Sequence, residues 1–180
     1  MEKLNVLDEE GNTIGEEYRD VIHQKGFLHG EVHVWCVTKE NELIFQHRAK
    51  NKDTYPDLLD ATVGGHVDLG ETFEESALKE LTEETGLMAT PEELVFLKTI
   101  TVNGFDPVTK MTNHARRNLY LLKRKVDISE LVVEEGKALG FVSFSFKRLS
   151  SLEDTEKERF IYTLLNKDGM NLFEQIKKLT

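Results

Sequence analysis

The segment GGHVDLGETFEESALKELTEETGL, residues 64–87, carries six glutamates and one aspartate against a single lysine, and it limits the fold more tightly than any other stretch. Thr72 and Glu75 have the spacing of a capping box, in which the hydroxyl accepts from the amide three residues on and the carboxylate reaches back to the cap amide. Gly86 suits the left-handed position after a last turn, so a helix is predicted over about 73–85. At ~100° per residue, Glu80 and Glu84 fall within ~40° of each other, on the stripe that also holds Phe73 and Ala77. Glu83 lies one step to the side. Glu75 and Lys79 point away, where an i,i+4 pair accounts for them as surface charge. A solvated, salt-bridged helix explains Glu74 and Glu75. It does not explain carboxylates on the stripe that must pack the helix against a core. Three part-buried carboxylates at i, i+3 and i+4 require a hard divalent cation, Mg²⁺ or Mn²⁺.

The flanking sequence is built mainly of strands. LNVLDEEGNTIGEEY reads as two short strands about a DEEGN turn, followed by a polar segment from Arg19 to Gly26 with one helical turn. EVHVWCV and ELIFQHR read as strands joined by a KEN turn. VFLKTITV, RRNLYLLKR and LGFVSFSF are rich in β-branched and aromatic residues and read as three more. The tail from Thr155 to Lys178 is helical in period, with Phe160, Leu164 and Leu165 on one face and a break at Asp168-Gly169. Such an order fits an α+β domain or an α/β/α layer arrangement. With 180 residues and no Ser/Gly-rich linker, one domain over 1–180 is expected, including an N-terminal hairpin extension (about 1–26) and C-terminal helices (about 155–178).

The formal charge of −10 argues against binding a nucleic-acid polymer, which needs a basic patch large enough to release counterions. The one cysteine, Cys36, excludes an internal disulfide and any zinc site built on paired thiolates. No uncharged apolar run approaches the ~20 residues that span a bilayer, so no membrane segment and a cytoplasmic location are expected. The oligomeric state stays open, a homodimer included.

Gly65, then Glu71, then Lys79-Glu80-Leu81-Thr82-Glu83-Glu84-Thr85-Gly86-Leu87 resembles the Nudix box of the Nudix hydrolase superfamily, departing at Lys79, where the family has arginine. The resemblance implies a Nudix-type α/β/α sandwich with a mixed central sheet. It implies that Glu80, Glu83 and Glu84 act catalytically by ligating or managing the metals, with the Gly65 carbonyl as a further ligand and Glu71 steadying the loop-helix unit. The implied reaction is Mg²⁺-dependent hydrolysis of a small-molecule diphosphate linked to another group, such as a nucleoside diphosphate derivative.

HRAKNKDTYPDLLDATVGGHVDLGE also resembles the type I isopentenyl-diphosphate isomerases. Arg48 and Lys52 match the pair that holds the substrate diphosphate there; otherwise they read as ordinary charge in a polar loop. The isomerase's reactive cysteine is Gly64 here, and its later acidic pair is missing from KMTNHARRNLYLL. Strand alternation puts His29, Glu31, His33 and Trp35 on one face and Val32, Val34 and Cys36 on the other. His29 and His66 match isomerase metal ligands, with His23 offset by one residue from the third, while the plainer reading is hydrogen-bonded strand histidines. Two alternatives to the hydrolase therefore stand: an isomerase-like enzyme, and a Nudix-fold sensor that binds without turnover, which Lys79 keeps open. The loop NGFDPVTKMTN belongs to the pocket for the attached group.

Overall fold

The computed structural model describes residues 2–52 and 54–180. The chain opens on a hairpin, β1 (Lys3–Leu7) and β2 (Thr13–Tyr18), and a short helix α1 (Arg19–Lys25) that ends at Gly26 with φ 68°. Then come β3 (His29–Trp35), β4 (Glu42–Arg48), β5 (Leu59–Asp60), β6 (Val63–His66), the glutamate helix α2 (Phe73–Thr85), and β7 (Leu94–Phe105), β8 (Thr112–Leu122) and β9 (Ala138–Ser145). The helices α3 (Phe146–Leu149), α4 (Asp154–Lys157) and α5 (Lys167–Leu179) finish it.

One sheet has the order β6-β3-β8-β7, and β3 runs parallel to β8 while the other neighbours are antiparallel. A second sheet, β5-β4-β9, is antiparallel. This is the mixed α+β architecture expected. The paired strands β5 and β6 have no counterpart in the sequence reading, because Leu-Asp and Val-Gly-Gly-His offer neither length nor alternation. They are made by the neighbours that pair with them.

Between the sheets, the Trp35 ring meets Phe45 and Phe173 edge to face, at centroid distances of 5.6 and 5.4 Å. Aromatic pairs of this kind add ~0.5–1.5 kcal/mol each beyond burial. A second apolar cluster, with Val32, Val34, Ile44, Ala77, Leu81 and Tyr120, seats α2. The alternation of β3 is thereby used on both faces: Trp35 enters the first cluster and Val32, Val34 and Cys36 the second.

The tail departs from the expected helical stretch broken at Asp168-Gly169. Its break falls between α4 and α5 rather than at Asp168-Gly169, which lie inside α5; Asn166 caps that helix by accepting from the Gly169 amide at 2.9 Å. Glycine is required there because a β-carbon would strike the Leu164 carbonyl. No helix among the described residues is long and apolar enough to cross a membrane.

Candidate active site

The helix α2 is capped as its sequence dictates. Glu75 N donates to Thr72 Oγ1 at 3.2 Å, Thr72 N donates to Glu75 Oε2 at 2.8 Å, and Gly86 ends the helix at φ 73°. Glu84 is buried and Glu83 exposed, with Glu80 between the two. Glu84 Oε2 accepts from Gln46 Nε2 at 3.0 Å and from the Gly64 amide at 3.1 Å. Burial raises its pKa, against the pull of Lys52 and of those two hydrogen bonds. Glu80 is pushed up to about 8, first by burial and then by the charges of Glu84 and Glu83. A β-carbon on Gly65 would fall on the Glu80 carboxyl, so the β6 backbone and this carboxylate are in direct contact.

Lys79 does not form the surface pair with Glu75 that helical spacing suggested. It reaches back to Asp68 in the preceding loop and lies 3.6 Å from Glu71, while Glu75 is engaged by its own cap. The hydrogen bond to Asp68 raises the lysine pKa. Glu71 also accepts from Ser76 Oγ at 2.7 Å. The loop and the first turns of α2 are thus fastened by Asp68, Glu71, Ser76 and Lys79 together; Asp68 was missed because nothing in the sequence marks a loop aspartate eleven residues from its lysine.

A cleft of about 300 Å³ opens over this helix, and residues from both sheets line it. Arg48 and Lys52 both face it, in different states. The Arg48 guanidinium is already engaged: Nη1 donates to Asp60 Oδ2 at 3.0 Å, Nη2 to the Thr54 carbonyl at 2.8 Å and Nε to the Tyr55 carbonyl at 3.2 Å. The Lys52 ammonium has no hydrogen-bond partner among the described residues, although the Lys52 amide donates to the Ala49 carbonyl at 3.3 Å; burial together with the neighbouring Arg48 charge lowers the side chain's pKa. Glu84 pulls the other way.

The cleft floor is a buried ionic row. Arg117 donates to Glu31 Oε2 through Nε and Nη2, at 2.9 and 2.6 Å, and Asn113 Nδ2 donates to Glu31 Oε1 at 3.0 Å. His33 lies 3.9 Å from Asp60, and burial, with Arg117 next, pushes its pKa down to about 3. Sequence reasoning did not find Asn113, Arg117 or Asp60; the signal available in β8 was that Asn113 and Arg117 share the alternation of the buried Ala115 and Leu119.

Beside this row, His23, His29 and His66 bring one ring nitrogen each within 4.8 Å of one another, and His29 Nε2 is buried without a hydrogen-bond partner among the described residues. Three imidazoles at this spacing can hold a divalent transition metal. The one-residue offset of His23 does not keep it away, because α1 carries it back over β6 to 3.1 Å from His66 Nε2.

The sequence matches the NUDIX domain family over residues 28–164. It is 31% identical over 158 residues to an uncharacterized Nudix hydrolase of Clostridium acetobutylicum, covering 86% of this chain and 75% of that protein. To Nudix hydrolase 3 of Arabidopsis thaliana it is 30% identical over 164 residues, 85% of this chain and 21% of that one. A Deinococcus radiodurans crystal structure superposes at a TM-score of 0.67 with 19% identity, covering 97% of this chain and 98% of the other. The NUDIX domain of Shewanella oneidensis NrtR, solved as a complex with ADP ribose, superposes at 0.55 with 14% identity, covering 84% and 86%. At such identities the structural likeness speaks for the fold.

Proposed function

This chain belongs to the Nudix hydrolase family, and on that footing we propose that it hydrolyses a small organic diphosphate with Mg²⁺ or Mn²⁺ held by Glu80, Glu83, Glu84 and the Gly65 carbonyl. Nudix hydrolases generally use divalent metals. The observation that carries the reading is the convergence of Glu80, Glu83 and Glu84 with Gly65 on one cleft: the missing glycine side chain makes room for the Glu80 carboxyl, which burial and its two neighbouring carboxylates push up to about 8. The donor set is all oxygen, which suits a hard ion. When bound, the metal screens the phosphate charge and acidifies a coordinated water.

The chain's own groups divide the remaining work. Gln46 and the Gly64 amide fix the Glu84 carboxylate through Oε2, so that Oε1 is the oxygen that would serve a metal. Lys52 is a cation available to a substrate phosphate, while Arg48 is committed to the Thr54 and Tyr55 carbonyls and to Asp60. His23 and His66 of the histidine cluster line the same cleft as this carboxylate set.

What supports hydrolysis over isomerisation is the absence of an available thiol among the described residues. Gly64 stands where a reactive cysteine would be needed, and a β-carbon there would sit 3.2 Å from the His33 ring. Cys36 is buried in the core, its thiol pushed up to about 12. The hairpin β1–β2 and helix α5 lie outside the matched residues, yet Leu4 is fully buried and Phe173 packs on Trp35; we read both as parts of one domain.

Phosphate release from a panel of nucleoside diphosphate derivatives, with Mg²⁺ and after chelation, tests the reading. Metal-dependent turnover is expected, and Glu84→Gln should cut it at least ~10–100-fold while Glu75→Gln leaves it near wild type. Binding without turnover would favour the sensor instead.

A further inference from the structure

The cleft extends well past the carboxylates. From Gly65 on β6 its floor crosses β3 at Glu31 and His33, β8 at Asn113 and Arg117, and reaches β7 at Gly104. Three inter-strand spacings make this about 14 Å. A diphosphate held at the β6 end leaves the β8–β7 end for whatever is attached to it.

That end is polar, buried and incompletely bonded. Asn113 is 8% exposed, and its Oδ1 is buried with no hydrogen-bond partner among the described residues. Its orientation is fixed, because Nδ2 must face the Glu31 carboxylate to which it donates; turning the amide would set two acceptors against each other. Arg117 gives Nε and Nη2 to Glu31, and among the described residues no hydrogen bond engages its Nη1. Gly104, the cross-strand partner of Asn113, has no room for a side chain because the Tyr55 hydroxyl occupies it. The Tyr55 backbone amide is in turn held by Asp106 Oδ2 at 2.7 Å, so the wall is tied to the β7–β8 turn.

We infer that Asn113 and Arg117 are specificity-determining residues that select, at the end of the cleft remote from the carboxylates, a diphosphate whose attached group offers a hydrogen-bond donor to Asn113 Oδ1 and an acceptor to Arg117, as a hydroxylated sugar does and a hydrocarbon chain does not. This rests on the diphosphate lying at the β6 end as proposed above. A buried acceptor left unmet by the ligand penalises the hydrocarbon, and a site built to bond a hydroxyl rejects analogues lacking it.

The test measures dissociation constants by calorimetry, and turnover in parallel, for three probes with Mg²⁺: ADP ribose, an alkyl diphosphate of similar length, and inorganic diphosphate. The full chain should bind ADP ribose at least ~10-fold more tightly than the alkyl compound. Asn113→Leu, nearly isosteric, should bring the two within about 2-fold while moving inorganic diphosphate by less than about 2-fold. Equal binding of the two organic probes by the native chain, or failure to bind ADP ribose, overturns the inference even if Asn113→Leu does not fold. Preferential binding without hydrolysis sinks the proposed hydrolase activity and leaves the subsite standing; hydrolysis of both organic probes at equal affinity does the reverse.

Discussion

Gly65 and Glu80 are in direct contact: a single added methyl on the glycine would occupy the position of the carboxyl group. The obstructing atoms are the far end of a flexible side chain, so Gly65→Ala should fold and displace Glu80 instead. The expected result is a higher Mg²⁺ requirement and kcat lowered ~10-fold or more, with a melting temperature close to wild type. An alanine variant with native Mg²⁺ dependence would show that Glu80 is not held where the metal goes.

Arg48 and Lys52 should separate on substitution. Truncating Arg48 leaves Asp60 buried without its ion-pair partner, which costs on the order of 3–5 kcal/mol in a fully buried pair and less here, where 12% of the arginine side chain stays accessible. Lys52→Ala removes a cation without a protein partner among the described residues, so it should raise KM for the diphosphate with little change in kcat or in the urea midpoint. If Lys52→Ala altered stability and Arg48→Ala altered only KM, their roles would be exchanged.

Stability should fall on acidification through His33. Unfolded, this histidine takes its proton below about 6.5; folded, burial and Arg117 keep it neutral down to about 3. Between those values the unfolded chain binds more protons, so the contribution is fully present above pH 6.5 and is lost as pH drops toward 3, by an amount on the order of a few kcal/mol. Urea unfolding of the native chain and His33→Gln between pH 4 and pH 7 checks this: the difference in stability between the two should shrink toward the acid end. A constant difference would contradict it.

Metal removal should distinguish the two cation sites. Mg²⁺ at an oxygen site is weakly held and lost on dialysis, whereas a tri-imidazole site favours transition metals. Chelated protein reloaded with Co²⁺ should show visible absorption that His29→Gln abolishes and Glu84→Gln leaves intact. No absorption in the native chain would mean that the three histidines do not hold a transition metal.

Local rules set α2. The capping box, the glycine stop and the ~100° step fix where the helix starts, where it ends and which carboxylates turn inward, since each depends on residues at most four apart. The alternation of β3 was legible for the same reason. The α+β class followed from element order. Tertiary structure decided the rest, because it depends on partners distant in sequence: Lys79 takes Asp68 across the loop instead of Glu75 on its own helix, Arg48 is engaged by Asp60, and Asn113 meets Glu31 only because β8 lies parallel to β3. The strands β5 and β6 exist only through the neighbours that supply their hydrogen bonds. Helical periodicity gives the direction in which a side chain leaves the backbone; what it meets there is fixed by long-range packing, which brings buried charges together and leaves each of them to find a partner or a ligand.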